Sequence, residues 1–194
     1  MKKLINILLL LLAINVYALS IEEENIATVM KTKIDLVTTL LQNKEISKEN
    51  KSKQIFKTFD PVFDYPLMSR LTLGKQWKKL SHEQKKEFEE LFTAKLKQSY
   101  IDKLDLYTDE KVIIKETKKV KKTRIKLFTE LIGKEENFEI IYKFHKSKKN
   151  KDWMIYDVEI IGVSIMQTYR KQFAGILKTE SFEVLLKKLK NKVN

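Results

Sequence analysis

Between Asp152 and Leu177 the chain reads DWMIYDVEIIGVSIMQTYRKQFAGIL, and its periodicity changes partway. From Trp153 to Ile160 the side chains are dense in aromatic and β-branched types, as a buried strand needs. From Val163 onward the apolar positions are Val163, Met166, Tyr169, Phe173, Ile176 and Leu177, the spacing of one helical face. Gly162 stands at the join, where the missing Cβ opens backbone angles that a bulkier residue resists. A buried strand therefore turns at Gly162 and runs straight into an amphipathic helix. The rest of the chain has to cover both.

Upstream of that corner the period is first helical and then two. Ile26, Val29, Met30, Ile34, Val37, Leu40 and Leu41 mark a helix over 21–42, with Glu22, Glu23 and Glu24 in its first turn. Ser47 caps a short second helix whose apolar face is Ile55, Phe56 and Phe59. Asp60-Pro61 predicts the start of a third, limited or kinked at Pro66 and ended at Gly74. Ser81 and Gln84 have the spacing of a capping box and open a helix over 81–104. Four alternating runs follow, from Lys111, Arg124, Phe138 and Trp153, joined by short polar connections. They predict an antiparallel meander. A last helix carries Phe182, Leu185, Leu186 and Leu189. The fold class is α+β: a four-stranded curved antiparallel sheet with helices packed on it.

The chain begins Met-Lys-Lys, continues almost unbroken apolar from Leu4 to Ile14, and reaches Val16-Tyr17-Ala18. That is the pattern of a secretory signal peptide, cut after Ala18. An uncleaved anchor is the competing reading, but the run is well short of the ~20 residues a spanning helix needs. With no cysteine, a lipoprotein, a disulfide and a thiol catalyst are all excluded. Residues 19–194 fit a single domain. Removing Lys2 and Lys3 leaves 37 basic against 26 acidic residues, a charge of +11. In the cytosol that excess would suggest nucleic acid. For an exported protein it suits anionic lipid headgroups or acidic partner surfaces, or simply lysine on solvated faces. The densest tract, Lys115 to Lys126, is either a docking patch or a solvated hairpin.

Sites for chemistry are few. His82 and His145 belong to no paired-ligand pattern, so no metal site is expected. Four scattered glycines build neither a P-loop nor a nucleophile elbow. Ser164 caps the helix that follows it. Asp157 and Glu159 share one strand face. They could serve as an acid/base pair in a pocket, pair with lysines of the neighbouring strand, or cap helix ends.

The aromatic inventory, ten Phe, seven Tyr and two Trp, fits a filled core residue by residue. Collectively it also fits a cavity between a curved sheet and its helical roof. Such a slot would suit acyl chains, since each methylene taken from water contributes ~0.8 kcal/mol.

Trp-x-x-Tyr-Asp-Val, Glu-x-x-Gly-Val-Ser and Tyr-Arg-x-Gln-Phe resemble the C-terminal signature of the MlaC (toluene-tolerance) family of periplasmic phospholipid-binding proteins. Upstream, Phe63-Asp64-Tyr65-Pro66-Leu67-Met68 and Leu73-Gly74-Lys75-Gln76-Trp77 are similar to a second family run. The resemblance covers most of the chain after about residue 25. It implies a soluble, monomeric periplasmic carrier with no cofactor and no catalytic residue, whose cargo is a glycerophospholipid. Its implied partners are an inner-membrane ABC-transporter complex with its substrate-binding subunit and an outer-membrane lipoprotein complex, and no nucleic acid. The implied role is to maintain outer-membrane lipid asymmetry. The expected cavity lining is Phe63, Leu67, Met68, Leu71, Trp77, Leu104, Trp153, Tyr156, Val163, Met166, Tyr169 and Phe173, with Arg170 meeting phosphate at the mouth. A binding or adaptor protein for another apolar ligand, and a small pocket enzyme using Asp157 or Glu159, are the alternatives.

Overall fold

The computed structural model describes residues 21–101, 110–149 and 151–191; the leader through Ala18 and Leu104 lie outside these. Helices α1 (Ile26–Gln42), α2 (Lys48–Phe59), α3 (Tyr65–Leu73) and α4 (His82–Ile101) come first. Strands β1 (Lys111–Lys121), β2 (Arg124–Ile132), β3 (Asn137–Lys146), β4 (Trp153–Ile160) and β5 (Val163–Ser164) follow, and then α5 (Ile165–Thr179) and α6 (Phe182–Lys190). The sheet is an antiparallel meander in the order β1-β2-β3-β4-β5. The four-strand expectation is thus extended by the two residues of β5, which fold back on the end of β4. Among the described residues no helix is long and apolar enough to cross a membrane.

Local chemistry sets the helix starts. The Ser47 hydroxyl accepts from the Asn50 amide at the head of α2. Ser81 and Gln84 form the capping box, each backbone N–H bonded to the other's side chain at 3.0 and 3.2 Å. The third helix departs from expectation. Asp60-Pro61 makes only one 3-10 turn, and the cap of α3 is Asp64, which accepts from the Leu67 amide at 2.9 Å. Between the two, Phe63 is extended so that the Asp64 amide can donate to the Ile155 carbonyl of β4. A continuous helix from Asp60 would have to give up that contact. Pro66 then occupies the first turn, where its missing N–H costs nothing.

The outer edge of β4 is closed by three segments. The Ile21 carbonyl accepts from the Trp153 amide, Asp64 bonds Ile155, and β5 pairs with Glu159 and Ile160. At the opposite edge, lysine-rich β1 is exposed along most of its length, as solvated edge strands commonly are.

Two apolar cores result. One lies between α1 and the sheet, around Ile26, Met30, Leu127, Phe144, Trp153 and Ile155. The other joins α3, α4, α5 and α6 through Met68, Met166 and an aromatic group. There Phe88 and Phe92 stack, and Phe173 meets both edge-on at 5.7 and 6.0 Å.

Candidate binding cavity

Strand register decides which side chains face the helices. Tyr142 pairs with Val158 and Ile140 with Ile160, so these four share one sheet face. Across from them stand Val37 and Leu41 of α1, Ile55, Phe56 and Phe59 of α2, and Leu96 and Lys97 of α4. Phe63 and Tyr65, at the join into α3, complete the wall. Together they line a half-open cavity of about 340 Å³. Among the described residues every lining side chain is apolar or aromatic except Lys97. This lies within the size range of ligand pockets, and its lining is of the kind that takes an apolar guest. Burial pushes the Tyr142 phenol up to about 12.

Lys97 is held in an aromatic frame. Its ammonium meets the Asp60 carboxylate at 2.5 Å and lies 5.0 and 5.2 Å from the ring centroids of Phe56 and Tyr65. The Tyr65 hydroxyl donates to the other Asp60 oxygen at 2.8 Å. Tyr65 and Lys97 also border a wide surface groove along α4, with His82, Lys85, Lys86, Glu89 and Glu90.

The opposite sheet face carries the charged cluster. Asp157 and Glu159 alternate with the cavity-lining Val158 and Ile160, so both point away from the cavity. Lys143 bridges them at 3.0 and 2.6 Å. Asp157 further accepts from the Ser164 hydroxyl at 2.7 Å and the Met166 amide at 3.1 Å, tying β4 to the start of α5. The pairing and capping readings of Asp157 therefore hold together in one residue. A second buried contact joins sheet to helix: His145 Nε2 lies 2.7 Å from Asp64 Oδ2. Burial pushes the Asp64 carboxyl up, but the His145 bond, the Leu67 amide and the nearby His145 and Arg70 charges outweigh it. The net value lies below the usual carboxylate range.

Of the side chains expected to line a cavity, Phe63 stands on this one. Met68, Met166 and Phe173 are buried in the helical core, with Trp77 and Tyr169 packed against it. Trp153 is buried in the sheet core. Leu67 and Leu71 are half-buried on α3. Tyr156 lies between the His145 ring and the Arg124 guanidinium. Val163 is 59% exposed on β5. Arg170 is exposed on α5, with its guanidinium over Gly74. The remaining walls come from α1, α2, α4, Tyr65 and the alternating face of β3 and β4. Their apolar stripes were visible in the sequence, but stripes do not say whether the space between them is filled.

An open antiparallel meander roofed by helices around an apolar cavity defines an α+β domain of the ligand-pocket class. The chain belongs to the MlaC family, whose model matches residues 31–191. A relative in Haemophilus influenzae, the intermembrane phospholipid transport system binding protein MlaC, is 28% identical over 120 residues. That match covers 60% of this chain and 56% of the relative, so the chain spans little more than half the length of that protein. The fold is similar to that of a phospholipid-binding protein from Ralstonia solanacearum, solved in complex with a phospholipid. That comparison has a TM-score of 0.75 at 21% identity and covers 86% of this chain and 96% of the other.

Proposed function

We propose that this protein is a periplasmic carrier that shelters the acyl chains of a glycerophospholipid in the cavity between sheet and helices. It would move that lipid between inner- and outer-membrane complexes and so maintain outer-membrane lipid asymmetry. The leader Met1 to Ala18 would be removed on export, leaving one domain that acts as a monomer. The observation that carries this reading is the apolar cavity itself, found in a chain of the MlaC family. Each methylene of an acyl chain that the cavity takes from water contributes ~0.8 kcal/mol. No covalent step is needed for loading or release. Shape and apolar character select the tails, so different headgroups would be accepted.

The test is native mass spectrometry of the protein purified from the periplasm without detergent. The expected result is an adduct with the mass of one phospholipid that solvent extraction removes. An unliganded mass, together with failure of the protein to take up lipid from phosphatidylglycerol vesicles, would overturn the proposal. An adduct of different chemistry would identify a binding protein for another apolar ligand.

A further inference from the structure

We propose that Lys97 is the anchor for the phosphodiester of a lipid seated in the cavity, with Asp60 and Tyr65 positioning it. This rests on the carrier reading and adds to it where the polar end of the cargo is held.

Among the described residues, Lys97 is the one charged side chain on the wall of an otherwise apolar cavity. With Tyr65 it also borders the groove that runs along α4. The pair therefore stands where enclosed apolar space meets the open surface. An amphiphile with its tails inside must place its first polar group at that boundary, and in a glycerophospholipid that group is phosphate.

The chemistry matches. An ammonium has three donors, and among the described residues Asp60 is the acceptor that takes one of them. Phe56 and Tyr65 flank the cation with ring faces, which hold it electrostatically. Asp60 keeps a second partner in the Tyr65 hydroxyl, so Lys97 can turn part of its charge to phosphate without stranding the carboxylate. Beyond Lys97 the groove carries both signs, with Lys85 and Lys86 beside Glu89 and Glu90. A mixed lining of this kind would tolerate zwitterionic and anionic headgroups alike. Arg170, whose guanidinium lies over Gly74, lines a different part of the surface.

The experiment offers delipidated protein an equimolar mixture of a phosphatidylglycerol and the diacylglycerol with the same chains. The bound ratio is read by extraction and mass spectrometry, with thermal denaturation confirming that each variant is folded. Wild-type protein is expected to favour the phospholipid. Lys97→Gln should lower that preference about tenfold, the loss of one charge-assisted hydrogen bond. Lys97→Arg should keep most of it, and Asp60→Asn should raise it by releasing the cation. A Lys97→Gln protein with the wild-type ratio overturns the anchor while leaving the carrier reading intact. Wild-type protein that takes up neither lipid overturns both. Inorganic phosphate that binds delipidated protein through Lys97 and stays bound when phospholipid loads would assign Lys97 to free anions and overturn its assignment to lipid.

Discussion

Lys143 sits between Asp157 and Glu159 with only 12% of its side chain exposed, and Asp157 shows 6%. Burial works to lower the pKa of this lysine, but its hydrogen bonds and charge contacts with the two carboxylates win, so the net shift is upward. A raised value in the folded state contributes stability below the unfolded lysine range. That contribution is lost as pH climbs through the folded value. Tyr142 has the same sign for a different reason: burial alone holds its phenol neutral up to about 12. Its contribution is present below the unfolded phenol value of ~10 and disappears between there and about 12. The protein should therefore lose stability steadily above pH ~10. Chemical denaturation midpoints measured across that range check this, and Tyr142→Phe should remove part of the slope with little cost near neutrality. Lys143→Met is a harsher change, because it removes the counter-charge of both carboxylates and leaves Asp157 only its bonds from Ser164 and Met166. The expected cost is about 3 kcal/mol. A loss under about 1 kcal/mol would mean that water reaches these groups more freely than their burial indicates.

At the scale of elements, the corner between β4 and α5 is the part most completely legible in the sequence. The period change at Gly162 gives the strand from Trp153 to Ile160, the turn and the start of the helix, and Ser164 is the cap, accepting from the Gln167 amide at 3.1 Å. What the sequence does not announce is the conformation of Ile161. It takes φ 50°, followed by Gly162 at φ 73°, so two left-handed residues in a row make the turn into β5. Glycine tolerates this; a β-branched residue does so under strain. The Ile161 side chain gains little in return, since it is 61% exposed. Asn-Gly is the pair that such turns favour. Ile161→Asn should therefore stabilise the protein by about 1 kcal/mol, a rise in melting temperature of about 2–4 °C. Scanning calorimetry decides the matter, and a lower melting temperature would show that Ile161 makes contacts that outweigh its strain. The start of α3 shows the opposite limit. Asp60-Pro61 is a good local helix signal, yet the chain spends Phe63 and Asp64 on a bridge to β4. A contact across more than ninety residues leaves no trace in local periodicity.

For the molecule as a whole, the same limit explains why the fold was readable and the cavity walls only partly so. Alternation in β3 and β4 tells which side chains face inward, and the stripes of α1 and α2 tell which helix faces meet them. Neither tells whether the facing surfaces touch. Met166 occupies an inward helical position and is buried in the helical core, whereas Val37, Phe59, Ile140 and Val158 occupy equally inward positions and border open space. The difference arises from how far two bodies of structure stand apart, which depends on every element between them. An unfilled apolar space leaves the side chains around it without packing partners, and a domain with such a gap should be more stable when a guest fills it. Ligand present at about 100 times its dissociation constant would contribute about 2.7 kcal/mol. Delipidated protein is thus expected to melt several degrees lower than protein reloaded with a phospholipid. Ile140→Trp places a larger side chain on the cavity face of β3 and should narrow this gap from both directions. The empty variant should melt at or above the wild-type temperature, and its response to lipid should shrink, along with the lipid recovered by extraction. If Ile140→Trp is folded and loads as much lipid as wild type, with the same thermal shift, the guest sits elsewhere and the cavity between sheet and helices is not its binding site.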